Sequence, residues 1–220
     1  ELASARQQLP SANDQDAAAA RVQTAERLAG EGADKPFLAV QFVDARHGLI
    51  VGAYGLAFRT DDGGTTWQSI MGSIDNPMGA HLSAITQQGQ HWFLAGEQGY
   101  LARSDDAGHS FTQLKSPYTG SFFTVQMRDD GVLLVAGLKG NAFVSSDLGQ
   151  SFQPAPVTMP VSFSDAIRTD DGQLLLAPAQ RVELRQATEL AVWAMTTVMN
   201  AAPEAAATSA ARKLSPGSTT

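Results

Sequence analysis

A pattern that occurs three times, at a spacing of about 40 residues, constrains this chain more than any other sequence feature. In each copy, a pair of glycines is followed at constant distances by an aspartate, a glycine and an aromatic residue. The recurring turn reads TDDGGTTW at 60–67, SDDAGHSF at 104–111 and SSDLGQSF at 145–152. Its recurring positions are Asp62, Gly64, Trp67, Asp106, Gly108, Phe111, Asp147, Gly149 and Phe152.

Short apolar runs separated by glycine- and aspartate-rich turns begin at Lys35. In the first copy these runs predict strands at 37–43, 48–52, 56–60 and 66–70. A repeat of about 40 residues with four strands is typical of one blade of a β-propeller. The sequence therefore predicts an all-β fold, a β-propeller of four-stranded antiparallel blades, over residues 35–180.

A fourth repeat follows but departs from the pattern. DDGQLLLA at 170–177 aligns with DDGVLLVA at 129–136, yet Thr188 and Leu190 stand where the aspartate and glycine of the turn would recur. Three blades are thus clear and a fourth is degenerate. Residues 181–202 are interpreted as the end of that blade or as a helix. Residues 203–220, rich in Ala, Ser, Thr and Pro, are expected to form a disordered tail.

Residues 1–34 contain no strand pattern and are interpreted as a helical segment. A helix is predicted over 11–29, with Ser11 or Asn13 as its cap and with Gly30 and Gly32 ending it. The chain begins with Glu1 rather than Met, so we expect that a leader, an anchor or more of the protein has been removed.

The recurring turn is predicted to connect the third strand of a blade to its outermost fourth strand. A hydroxyl begins it, the aspartate accepts hydrogen bonds from backbone N–H groups, and the glycine adopts a positive φ. The aromatic residue is expected to pack between neighbouring blades. These roles are structural.

The pattern Ser/Thr-x-Asp-x-Gly-x-Ser/Thr-Trp/Phe resembles the Asp-box, or bacterial neuraminidase repeat. FVDARHGLIVGAYGLAFRTDDGGTTW at 42–67 is similar to the repeat of the photosystem II assembly and stability factor family, and the resemblance covers about residues 36–180. It implies a non-enzymatic scaffold that binds a protein partner and assists the assembly or function of a membrane-protein complex. It also implies an exported protein, which is periplasmic in a bacterium. Family members usually have more blades, so the resemblance implies that residues 1–34 are an insertion between blades and that this chain is part of a longer protein.

The Asp-box also occurs in sialidases, so the alternative is a carbohydrate-active protein, either a glycoside hydrolase or a glycan binder. Resemblance to sialidases implies three arginines on a carboxylate, a Tyr–Glu nucleophile pair and an acid/base aspartate. That set is not apparent among the three tyrosines, and Arg59 and Arg103 recur one residue before the turn, as structural residues do. We therefore predict no catalytic residues.

Composition excludes other classes of function. The net charge of −7 argues against nucleic-acid binding, which normally needs a basic surface. The chain has no cysteine, so thiolate metal sites are excluded, and its histidines show no metal-ligand spacing. No apolar run approaches the ~20 residues that span a bilayer. We predict no metal and no cofactor.

A rim for partner binding follows from the predicted blade. The glycine pairs lie in the turns between the second and third strands. These turns and the connections between blades are expected at the same edge of the sheets, and the Asp-box turns at the opposite edge. Residues at the edge with the glycine pairs differ between copies, and variable loops on a rigid scaffold commonly bind partners. The candidate partner-binding residues are Tyr54, Asp75, Asn76, Glu97, Gln98, Tyr118 and Lys139.

Overall fold

Four antiparallel sheets follow one another along the chain in the computed structural model, which describes residues 6, 15–32, 34–157, 160–169 and 172–179. The first contains β1 (Phe37–Phe42), β2 (Gly48–Gly52), β3 (Ala57–Thr60) and β4 (Gln68–Ser69). The second contains β5 (Leu82–Gln88), β6 (His91–Gly96), β7 (Leu101–Ser104) and β8 (Thr112–Gln113). The third contains β9 (Phe122–Met127), β10 (Leu133–Gly137), β11 (Ala142–Ser145) and β12 (Gln153–Pro154). The fourth contains β13 (Phe163–Arg168) and β14 (Leu174–Pro178).

Each of the first three sheets is a meander whose spatial order equals its sequence order. The first strands of successive sheets, β1, β5, β9 and β13, contact one another in that order. Such sheets, arranged side by side, are the blades of a β-propeller. The predicted fold class is therefore confirmed, and the four strands predicted for the first blade agree with the observed ones to within two residues. We call the four repeats units one to four.

Unit four is described only in its first half. β13 and β14 pair as β9 and β10 do, with Ala166 opposite Leu176. The predictions for 181–202, a blade end or a helix, and for 203–220, a disordered tail, lie outside the described residues.

An α-helix, α1 (Gln15–Glu31), precedes the sheets. The predicted start at Ser11 and the expected caps Ser11 and Asn13 lie outside the described residues. The helix continues through Gly30 and ends before Gly32, whose φ of +78° is the left-handed conformation that terminates helices. Among the described residues, no helix is long and apolar enough to cross a membrane.

The hydrophobic core lies between consecutive units. On β6, Trp92 and Leu94 pack against unit one, whereas Phe93 and Ala95 pack against unit three. Alternate side chains of a strand point to opposite faces, so β6 contributes to two interfaces. The same alternation explains why β10 is a continuous apolar run, since both of its faces are buried.

Unit one exposes the face that units two and three bury. Phe37 is 49% exposed, whereas Leu82, at the same position of unit two, is fully buried. Val40 and Phe42 are exposed beside it. The rings of Phe42 and Trp67 meet edge to face with centroids 6.2 Å apart, so Trp67 contacts its own unit. The first sheet therefore carries an apolar outer surface.

Candidate functional site

The Asp-box turn of unit one is closed by hydrogen bonds among four residues. The Thr60 hydroxyl donates to Asp62 Oδ1 over 2.9 Å and accepts the backbone N–H of Gly64 over 2.8 Å. Asp62 Oδ1 also accepts the N–H of Thr66 over 2.8 Å, and Asp62 Oδ2 accepts the Thr66 hydroxyl over 2.6 Å. One carboxylate thus joins the two ends of the turn between β3 and β4.

The same network recurs in units two and three. Asp106 accepts the hydroxyls of Ser104 and Ser110 over 2.6 Å each. Asp147 accepts the hydroxyls of Ser145 and Ser151 over 2.7 and 2.6 Å. The turn glycines have left-handed φ values, which a residue with a Cβ adopts only at a cost. These values are +88° at Gly64, +83° at Gly108 and +81° at Gly149.

The second and third Asp-box turns also join neighbouring units. A Cβ on Gly108 would lie 2.8 Å from Cδ1 of Leu49 in unit one, and Phe111 is buried in the core between these units. Arg59 Nη1 donates to the carbonyl of Ala107 over 3.2 Å, and Arg103 Nη1 to that of Leu148 over 2.8 Å. The recurring arginines therefore connect one unit to the turn of the next.

The hydrogen bonds hold the turn aspartates in their charged form. Donation by the side chain and N–H of Thr66 lowers the pKa of Asp62 from 3.8 to about 2. Ser151 lowers the pKa of Asp147 to about 2 in the same way. At Asp106, partial burial raises the pKa, but donation by Ser104 and Ser110 outweighs it, so the net shift is downward. These carboxylates stabilise the fold only while ionised.

We expect acid to destabilise the protein between about pH 4 and pH 2 through these aspartates. Because their pKa values are lower in the folded state, the unfolded chain binds more protons as the pH falls from 3.8 towards about 2. The stabilisation is complete above pH 4 and is lost below it. Asp106→Asn, which keeps an acceptor but cannot ionise, should lose less stability in this window than the wild type does.

The urea midpoint measured at several pH values checks this expectation. Asp44, whose pKa is lowered to about 2 by its hydrogen bond with the His47 side chain, titrates in the same window. The quantity to compare is therefore the slope of the urea midpoint against pH. Identical slopes for the wild type and Asp106→Asn would show that Asp106 does not contribute to the acid destabilisation.

Three tight turns lie at the opposite edge of the sheets: Ala53–Gly55, Glu97–Gly99 and Leu138–Gly140. We call these three turns the rim. Their middle residues have positive φ: +56° at Tyr54, +55° at Gln98 and +57° at Lys139. The glycines that follow also have positive φ angles, so each turn has the type I′ form that favours Asn-Gly or Asp-Gly. Three larger side chains occupy a conformation that suits them poorly.

Each rim turn is fixed to the chain segment that enters the innermost strand. Glu97 N donates to the carbonyl of His81 over 3.1 Å, and Leu138 N donates to that of Ser121 over 3.0 Å. A Cβ on Gly96 or Gly137 would overlap the same carbonyl oxygens. The repeated glycine before the turn therefore permits this close approach.

The structure divides the seven predicted partner-binding residues into two groups. Tyr54, Gln98 and Lys139 are exposed on the rim, and Glu97 is half-buried beside Gln98. Three more lie on the connections between units: Asp75, Asn76 and Tyr118.

Two of the connection residues hold their own loops together. The side-chain amide of Asn76 donates to the Ala80 carbonyl over 3.0 Å and accepts the Ala80 N–H over 2.9 Å. Tyr118 is half-buried, with its ring 5.8 Å from that of Phe122. Asp75 remains exposed and accepts the N–H of Gln113 over 3.4 Å. The side chains of Asn76 and Tyr118 therefore make contacts with other residues of this chain.

A groove beside the rim was not predicted from the sequence. Its volume is about 530 Å³, and nine described residues line it. The groove runs along the first strands of all four units, and we call it the central groove. Its lining is Leu38, His81, Ser83, Glu97, Ser121, Phe122, Phe123, Ser164 and Ala179.

The central groove and the rim share one short chain of contacts. The Tyr54 ring lies 4.7 Å from the His81 ring, and His81 N donates to Glu97 Oε1 over 2.9 Å. Tyr54 therefore stands at the mouth of the groove. These contacts connect the rim, with its variable side chains, to a groove whose lining is both apolar and polar.

A family model described as the photosynthesis system II assembly factor YCF48 matches residues 28–175. The chain belongs to this family. A curated relative, the photosystem II assembly lipoprotein Ycf48 of Synechococcus sp. (strain CC9902), is 35% identical over 77 residues, which are 35% of this chain and 23% of that protein. The predicted family is therefore confirmed.

Solved structures share the fold. One described as YCF48 bound to D1 peptide has a TM-score of 0.57 at 20% identity, over 66% of this chain and 47% of that one. A GH74 enzyme from Niastella koreensis has a TM-score of 0.51 at 14% identity, over 65% of this chain and 26% of that one. This chain therefore spans less than half the length of the curated relative and of the peptide-bound YCF48 structure.

The structural similarity to a glycoside hydrolase concerns the fold alone, because folds of this kind host unrelated functions. Within the described ranges, no group of three or more His, Asp or Glu side chains could hold a metal ion.

Proposed function

We propose that this chain forms part of a non-enzymatic β-propeller that binds a protein partner at the rim and assists the assembly or function of a membrane-protein complex. The observation that carries the proposal is that the rim exposes three different side chains at one repeated backbone position: Tyr54, Gln98 and Lys139. Variable side chains on a rigid scaffold commonly bind partners. The left-handed conformation alone does not mark the rim, because Ala107 and Leu148 of the Asp-box turns share it, with φ values of +59° and +57°. The rim keeps one backbone and presents three different side chains.

Family membership supports this choice over an enzyme. The matching family is described as an assembly factor, and one solved relative is described as bound to a peptide. An exported location, periplasmic in a bacterium, belongs to the proposal. The description of the curated relative as a lipoprotein supports it. The partner chemistry that suits the rim is a polypeptide, because the exposed groups are spread over three units.

Replacing the three rim side chains by glycine tests the proposal. Tyr54→Gly, Gln98→Gly and Lys139→Gly together remove the side chains and suit a positive φ, so the melting temperature should stay within a few degrees of the wild type. Affinity purification from solubilised membranes of the source organism should recover a membrane-protein subunit with the wild type. The triple variant should recover about tenfold less, as expected for loss of a hot spot.

The wild type and the triple variant are compared at equal bait concentration, with mass spectrometry identifying and quantifying the subunit. Equal recovery by the two would contradict the proposal. Recovery of soluble proteins alone would contradict the assignment to a membrane-protein complex.

A further inference from the structure

The central groove combines two apolar side chains with hydroxyl groups. Leu38, Ser83, Phe123 and Ser164 occupy one repeat position in units one to four. Leu38 is 47% exposed and Phe123 is 37% exposed, although both face the groove. Exposed apolar side chains in a concave site are typical of ligand contacts.

Glu97 gives the groove a negative charge. Its Oε1 is engaged by the N–H of His81, which fixes the carboxylate at the mouth. His81 Nδ1 lies 3.8 Å from Oε2, beyond hydrogen-bonding distance. The ammonium of Lys35 lies outside the lining, 5.7 Å from the centroid of the Tyr54 ring. None of the nine described lining residues is a lysine or an arginine. A positively charged ligand group beside the apolar contacts therefore complements the groove.

We propose that the central groove binds an extended peptide segment of the partner, with an apolar side chain against Leu38 and Phe123 and an adjacent basic side chain paired with Glu97. This inference rests on the proposed function, in which the neighbouring rim binds a protein. The lining comes from all four units, so an extended chain can contact several units at once. Serines 83, 121 and 164 add polar groups along it.

Three labelled twelve-residue peptides test the inference against the purified chain by fluorescence polarisation in 0.15 M salt, where weak long-range attraction is screened. One repeats Leu-Arg-Ser, the second repeats Leu-Glu-Ser, and the third repeats Ser-Arg-Ser. The first should bind about tenfold more tightly than either of the others, because only it supplies both the apolar and the basic group. The third peptide controls for attraction to the net charge of −7.

Two variants locate the binding. Phe123→Ser introduces the residue that units two and four already carry at this position, and should weaken the Leu-Arg-Ser peptide about tenfold. Glu97→Gln keeps an acceptor for His81 N but removes the charge, and should abolish the preference for Leu-Arg-Ser over Leu-Glu-Ser. The matched control outside the groove is Met78→Ser, at an 84% exposed side chain. This variant should bind like the wild type.

Each other result contradicts the inference. Equal affinity for the basic and acidic leucine peptides would remove the role of Glu97. Wild-type affinity in Phe123→Ser would remove the apolar contact. Binding of none of the three peptides would reject the groove as a peptide site, whereas rim-dependent recovery of a membrane-protein subunit would still support the proposed function.

Discussion

Gly96→Ala should destabilise the protein by about 3 kcal/mol, because a Cβ at this position overlaps backbone rather than a flexible side chain. The overlapped atom is the carbonyl oxygen of His81, which accepts the N–H of Glu97. The overlap can be removed only if the rim turn moves away from His81, which precedes β5. That movement breaks the hydrogen bond between Glu97 and His81. Chemical denaturation monitored by tryptophan fluorescence measures the change.

Gly72→Ala is the matched control for Gly96→Ala. A Cβ on Gly72 meets no atom within 4 Å, and Gly72 has no positive φ. Its effect should stay within about 0.5 kcal/mol. If Gly96→Ala were as mild as Gly72→Ala, the close approach that fixes the rim would be disproved.

Gly108→Ala should destabilise the protein by about 2–3 kcal/mol for two separate reasons. A Cβ at φ +83° costs about 1 kcal/mol in backbone strain. The same Cβ would lie 2.8 Å from Leu49 Cδ1, so the core between units one and two must shift, at a further cost of about 1–2 kcal/mol. Thermal and urea unfolding both report the sum.

Gly64→Ala separates those two contributions. Gly64 has a similar φ of +88°, but its Cβ would meet only Trp67, at 3.5 Å, an ordinary contact. Its cost should therefore be the strain alone, about 1 kcal/mol. Equal losses in Gly64→Ala and Gly108→Ala would show that the second Asp-box turn stabilises its own unit only, and not the contact with unit one.

The recurring parts of the fold could be predicted from the sequence because their physical cause is local. The hydroxyl, aspartate and glycine of each Asp-box turn lie within five residues of one another, and the same short hydrogen bonds recur in three units. Rim turns could be predicted for the same reason. In both cases, the three copies of the turn show which of its positions are constant and which vary.

The central groove could not be predicted, because its residues do not recur. One repeat position holds Leu38, Ser83, Phe123 and Ser164, and a pattern search discards such a position as variable. Its importance comes from the proximity of four first strands, which is a tertiary property. Comparison of this position across units, once a propeller is assumed, is the signal that could have located the groove.

The roles of Asn76 and Tyr118 were also hidden from the sequence. Both lie on connections between units, where exposed side chains were expected. Asn76 instead forms two hydrogen bonds with Ala80, and Tyr118 packs against Phe122 and Phe143. Such contacts depend on loop conformation, which residue type alone does not specify. The binding role of these two residues remains a prediction.

Site-specific photocrosslinking at the two edges of the sheets tests the central claim most directly. A benzophenone amino acid is placed at rim positions 54, 98 and 139, and at the exposed Asp-box positions Thr65, His109 and Gln150, which are likewise equivalent across three units. We expect the partner to crosslink from the rim positions and not from the Asp-box positions. Crosslinking confined to the Asp-box positions would contradict the account, because those turns would then bind the partner rather than only stabilise the fold.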